Sequence, residues 1–162
     1  MELNSSAGEK VVWGVLTFCY EDFSIVEDYG ANPVIKNTPY YFLPGGRVQL
    51  HEPAEIAIVR ELREELNVEP KVLRPLWLNQ GFFTEDVSGE RFHEICLYFL
   101  MDVSHTDLLS KGEQFVLSEN NQRHTFEWLR FDRLKDEYFY PVFLKEKILD
   151  LPETLTILAN FD

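Results

Sequence analysis

Residues Gly46 to Val68 read GRVQLHEPAEIAIVRELREELNV, and the spacing inside this stretch decides how the chain is understood. Proline is tolerated at a helix start, where its missing N–H costs nothing, so Pro53 marks an entrance. From Ala54 to Leu66 there is no glycine or proline. Val59, Leu62 and Leu66 recur with helical spacing and Ile58 widens the stripe, giving one face to bury. Asn67 suits a left-handed helix end and Pro70 blocks a restart. The pattern predicts a helix over 53–66.

The charges on that helix are unusual. At 3.6 residues per turn Glu61, Glu64 and Glu65 share an arc of roughly 100°. Ala54 and Ala57 are the small residues on the same arc, which predicts open access. Glu52 stands just ahead of the helix. Like charges one turn apart cost only a few tenths of a kcal/mol, so a solvated acidic face balanced by Arg60 and Arg63 is one reading. The other is a cage for a hard divalent cation facing a polyphosphate. Mg²⁺ takes oxygen ligands from a few carboxylates and from substrate phosphates, and Glu61, Glu64 and Glu65 supply such oxygens.

The wider spacing favours the cage. The segment resembles the Nudix box, G-x5-E-x7-R-E-U-x-E-E-x-G-U with U aliphatic, of the Nudix hydrolase (MutT-like) family. Gly46, Glu52, Arg60, Glu61, Leu62, Glu64, Glu65 and Val68 occupy its positions. Asn67 replaces the second glycine, a mild change because asparagine also tolerates the left-handed conformation. Many relatives carry glutamate where Gln49 stands and glycine where His51 stands. Phe42-Leu43-Pro44-Gly45-Gly46 resembles the usual lead-in, and Phe82-Phe83 with His93-Glu94-Ile95 resembles a central hairpin of many members.

The resemblance implies a metal-dependent pyrophosphohydrolase. Water would attack phosphorus in a nucleoside diphosphate linked to another moiety: a nucleoside triphosphate, a dinucleoside polyphosphate or a nucleotide sugar. Glu64 and Glu65 would be the main metal ligands, for Mg²⁺ with Mn²⁺ as substitute. Glu61 would orient or deprotonate the water, or bind metal itself, and Arg60 would hold Glu61 by a charge-assisted hydrogen bond. Glu52 would take a second ion or brace the loop. Arg47, Gly45 and Gly46 are the expected substrate-binding set, against a solvated loop arginine as the plainer reading of Arg47. Glu94, Glu113, Glu119 and Glu127 are unranked candidates for a further ligand or base. Trp13, Phe18, Tyr20, Phe82, Phe83 and Tyr98 offer flat surfaces for a base, or simply core. The alternative function is a non-catalytic nucleotide-sensing module on the same fold.

Composition bounds the rest. A length of 162 residues suits one domain spanning 1–162, and a hydrophobic share of 45% excludes a disordered chain. The net charge of −13 argues against DNA or an anionic membrane as partner, while a bound cation still permits a small phosphorylated nucleotide. No apolar run is long enough for a membrane span. Cys19 and Cys96 form no metal motif and read as buried free thiols of a cytoplasmic protein. A homodimer is the default among assemblies.

The expected fold is an α/β/α sandwich with a mixed sheet and a loop-helix-loop metal motif. Strands are predicted over 10–20, 40–43, 72–84, 91–103 and 124–131. A hairpin partner is predicted over 23–29 and loops over 30–38 and 104–123. Short helices are predicted over 132–137 and 141–149, with a last strand or turn over 155–158 and Trp128 inward.

Overall fold

The computed structural model describes residues 10–19, 40–86, 88–119, 122–129 and 134–162, the first of these segments by backbone alone. The expectations for 23–29 and 30–38, and the side chains of Trp13, Phe18, Cys19, Tyr20 and Glu119, lie outside the described residues.

The predicted helix forms over Ala54–Leu66 and is designated α1. Pro53 is its extended N-cap rather than its first helical residue, with φ −64° and ψ 147°. Asn67 ends it in the left-handed region at φ 56°, donating its N–H to the Arg63 carbonyl at 3.1 Å. The stripe differs slightly from the periodicity. Ala57, Ile58, Leu62 and Leu66 are the buried residues, and Val59 sits half-buried at the flank. Ala57, expected to leave the acidic arc open, is fully buried. Each large aliphatic side chain buried in this way contributes about 1.5–3 kcal/mol.

The stripe has a sheet to press against because strands alternate their faces. Strands β1 (Lys10–Cys19), β2 (Lys71–Thr84) and β3 (Arg91–Asp102) build its body, and β6 (Thr156–Phe161) its edge. The order is β1-β3-β2-β6, with β3 antiparallel to both neighbours and β6 parallel to β2, so the sheet is mixed. Phe99, Met101 and Val103 of this hairpin arm pack with α1. Cys96, Tyr98 and Leu100 point to the other face, where they meet Leu76, Trp77, Leu144 and Ile148. Trp77, Tyr98 and Phe143 meet edge to face with centroids 5.5–6.3 Å apart. Pro75 lies inside β2, which slips register on either side of it. Pairing with β6 starts only at Trp77, so the missing proline N–H faces no strand there.

The outer layer on the second face is slight. Pro141 opens a turn with Leu144 N–H on its carbonyl at 3.2 Å, and the α-helix proper, α2, runs only Leu144–Lys147. Of the helix expected over 132–137, the described part is Leu134, which is helical, and the turn behind it, closed by Glu137 N–H on the Leu134 carbonyl.

The loop expected over 104–123 is instead mostly structured. After a 3-10 turn, Leu108–Lys111, strand β4 (Gln114–Glu119) pairs antiparallel with β5 (Gln122–Glu127). Its polar composition hid a strand that alternates. Phe115 and Leu117 turn toward the α1 core with Phe126 and Trp128, while Val116 stays exposed. Trp128 is inward as expected, and its indole Nε1 is buried without a hydrogen-bond partner among the described residues. The strand expected over 40–43 reduces to one parallel bridge between Tyr41 and Phe139. Among the described residues no helix is long and apolar enough to cross a membrane.

Candidate metal and phosphate site

The loop from Gly45 to Pro53 delivers four of the predicted residues, Gly45, Gly46, Arg47 and Glu52, to the side of α1, and one arginine gathers the carboxylates. Arg60 grips Glu52 with two parallel bonds, Nε to Oε1 at 2.8 Å and Nη2 to Oε2 at 2.9 Å. Its Nη1 reaches Glu61 Oε1 at 2.6 Å and Glu64 Oε2 at 3.3 Å. Nη2 also donates to the Arg47 carbonyl at 2.9 Å, which ties the guanidinium to the loop backbone. A planar fork of fixed donors suits this task, and a lysine could not reproduce it.

Electrostatics follow from that grip. Hydrogen bonding to Arg60, with the Gln49 backbone N–H on the same carboxylate, holds Glu52 down at about 2. The same bond to Glu52 raises the Arg60 pKa, so the pair stays ionised throughout the neutral range. In this arrangement Glu52 braces the loop: its backbone N–H closes a turn on the Gln49 carbonyl at 3.1 Å.

Two glycines explain how the loop comes so close. A Cβ built on Gly46 would lie 2.3 Å from the Glu61 carboxylate carbon, so only glycine leaves room for that side chain. Gly45 donates its N–H to Glu65 Oε2 at 3.1 Å. Thus Glu61 and Glu65 are both held against the glycine pair, while the Glu64 side chain is 46% exposed. His51 adopts φ 65°, a left-handed conformation that explains why glycine serves at this position in the motif.

The donors fit a hard divalent ion in kind, being carboxylate oxygens alone. One positive group, Arg60 Nη1, already lies between Glu61 and Glu64. Among the described residues no three acidic, histidine or cysteine side chains converge as a ready-made cage.

The candidates outside the box fare differently. Glu127 accepts the Tyr41 hydroxyl at 2.9 Å, a link between the loop's lead-in and β5 that no spacing rule signals. Glu113 lies exposed at the start of the hairpin and offers its carbonyl to Trp128 N–H. Glu94 shares its face of β3 with Cys96 and Tyr98, opposite the α1-facing Phe99 and Met101. Burial there pushes its carboxyl up to about 7, and burial likewise raises the Cys96 thiol. Tyr98 is core rather than platform; Phe82 stacks between His93 and Phe161, and Phe83 on Phe92.

Comparison with known proteins agrees with the motif. The family model described as the NUDIX domain matches residues 12–147. An ADP-ribose pyrophosphatase from Methanocaldococcus jannaschii is 38% identical over 103 residues, covering 62% of this chain and 58% of the relative. The chain thus spans little more than half the length of that relative.

Proposed function

This chain belongs to the Nudix hydrolase family, and on that premise we propose that it is a metal-dependent pyrophosphohydrolase of small nucleotide-derived diphosphates. ADP-ribose is the first substrate to try, because a relative 38% identical over 103 residues is named an ADP-ribose pyrophosphatase. The observation that carries the reading is the Arg60 hub, which gathers Glu52, Glu61 and Glu64 beside a glycine loop. A purely structural helix has no use for so many carboxylates around one cation.

Glu64 and Glu65 would hold Mg²⁺, with Mn²⁺ as substitute, and Glu61 stands beside them. A bound divalent ion supplies charge neutralisation at the diphosphate and acidifies a water. Glu61 would orient the attacking water or take its proton, and Arg60, bonded to Glu61 Oε1 at 2.6 Å, fixes that carboxylate in place. Gly45, Gly46 and Arg47 would meet the phosphate oxygens in this reading. The P–O–P bridge breaks, the water oxygen joins the attacked phosphorus, and the bridging oxygen leaves with the other phosphate. From ADP-ribose the products are AMP and ribose 5-phosphate.

The test is product analysis with Mg²⁺ over ADP-ribose, a dinucleoside polyphosphate, nucleoside triphosphates and a nucleotide sugar. Turnover of at least one is expected, and Glu64→Gln should lower it by about 100-fold or more with the fold intact. Near-normal Mg²⁺-dependent turnover in that variant would overturn the assignment. Tight binding without turnover across the panel would turn the reading to a nucleotide sensor.

A further inference from the structure

The edge strand β6 is built in a way that soluble edges usually avoid. Edges are normally blunted with charges, prolines or bulges, because their outward N–H and C=O groups invite another strand. From Thr154 to Phe161 the sequence reads TLTILANF, with no charge and no proline in a chain of net charge −13. Asp162 donates its backbone N–H to the Phe82 carbonyl at 3.0 Å, which fixes the even positions as those bonded to β2. The odd positions Ile157, Ala159 and Phe161 therefore direct their backbone groups away from the sheet.

Their side chains are equally uncovered. Ile157 is 65% exposed and Phe161 78%. Phe161 stacks on Phe82 at 4.7 Å, and Phe82 stacks on His93 at 4.2 Å, so an ordered aromatic row runs across three strands and stops at this edge. Among the described residues no strand lies beyond it.

We propose that β6 is a dimerisation edge, pairing antiparallel with β6 of a second copy about a two-fold axis at Ala159. The occupant follows from charge and symmetry. Two chains this acidic repel over most of their surfaces, and β6 offers them an approach free of charge. Antiparallel pairing of a strand with itself is closed and isologous. Centred on Ala159, the register sets Ile157 of each copy opposite Phe161 of the other, so apolar side chains meet on one face and the two sheets become continuous. A centre shifted by half a residue step would set Ile157 against Asn160 and mix the faces.

The 162-residue chain tests this by sedimentation and light scattering, with a mass near twice 19.1 kDa expected at micromolar concentration. Ala159→Cys should form an intermolecular disulfide under mild oxidation, since hydrogen-bonded antiparallel pairs set Cα atoms about 5.5 Å apart. Glu55→Cys, on the exposed surface of α1, is the control and should not. Ile157→Lys with Phe161→Lys should weaken association at least 100-fold while circular dichroism stays native. A monomer at all concentrations would overturn the proposal. So would a dimer in which Ala159→Cys cross-links no better than the control, or one that survives the two lysines.

Discussion

Glu52 and Glu94 are carboxylates of one chain that their surroundings push in opposite directions. Glu52 sits on the loop before α1, gripped by two nitrogens of Arg60 and by a backbone N–H, and its pKa falls to about 2. Glu94 sits on β3 across from Gly81, walled in by the sheet, and burial raises its pKa to about 7. The loop turns acidity into fixed negative charge that a cation must answer. The sheet face stores a carboxyl that stays neutral until the pH approaches 7. A carboxylate of this chain thus has two outcomes, set by whether an arginine grips it or burial removes it from water.

Breaking the loop side gives the largest effect. Arg60→Lys keeps the charge but loses the fork, leaving Glu52 and Glu61 without their shared brace. Turnover of whichever diphosphate proves to be substrate should fall about 10–100-fold, with a weaker apparent affinity for Mg²⁺. A variant with unchanged kinetics would show that the hub is scaffolding alone.

Breaking the sheet side moves stability rather than turnover. Glu94 has a folded pKa of about 7 against an ordinary 4.5, so the folded state holds the extra proton between those values. Stability from this group is greatest below about pH 4.5, declines as pH rises, and levels off above about 7. The decline amounts to up to about 3 kcal/mol. Glu94→Gln, which stays neutral, should flatten that slope in a melting series from pH 5 to 8. A wild-type slope kept in the variant would assign it to another group. Glu52 has the reverse sign: its depressed pKa favours the fold above 4.5, and that contribution disappears as pH falls toward about 2.

The smallest change sharpens the comparison. Gly46→Ala places a methyl where the Glu61 carboxylate now lies, and a flexible side-chain end can move aside. The melting temperature should shift by no more than a few degrees, as expected for a cost below about 1 kcal/mol. Turnover should fall about tenfold because Glu61 is displaced. Loss of folding would instead mean that the loop backbone cannot tolerate the methyl.

Much of this was readable without coordinates. The helix over Ala54–Leu66 came from stripe, breakers and charge spacing, all local signals, and the central hairpin from two long runs of strand-forming residues. The strand expected over 124–131 forms in part as β5, but its partner β4 and their pairing are not legible, because Gln114–Glu119 is polar on one face and the pairing depends on burying Phe115 and Phe126 against α1. Ala57 was misjudged for the same reason: its helical position is local, while the core that covers it comes from elsewhere in the chain.

The sequence by itself determined that a helix would carry Glu61, Glu64 and Glu65 on one arc behind a glycine loop, because residue spacing along a helix is fixed by backbone geometry. Only the tertiary structure decided that Arg60 binds Glu52 with both nitrogens, that Gly46 yields its side-chain space to Glu61, and that Glu94 faces the opposite side of the sheet. Those outcomes depend on which surfaces pack together, and packing joins residues that the chain keeps far apart.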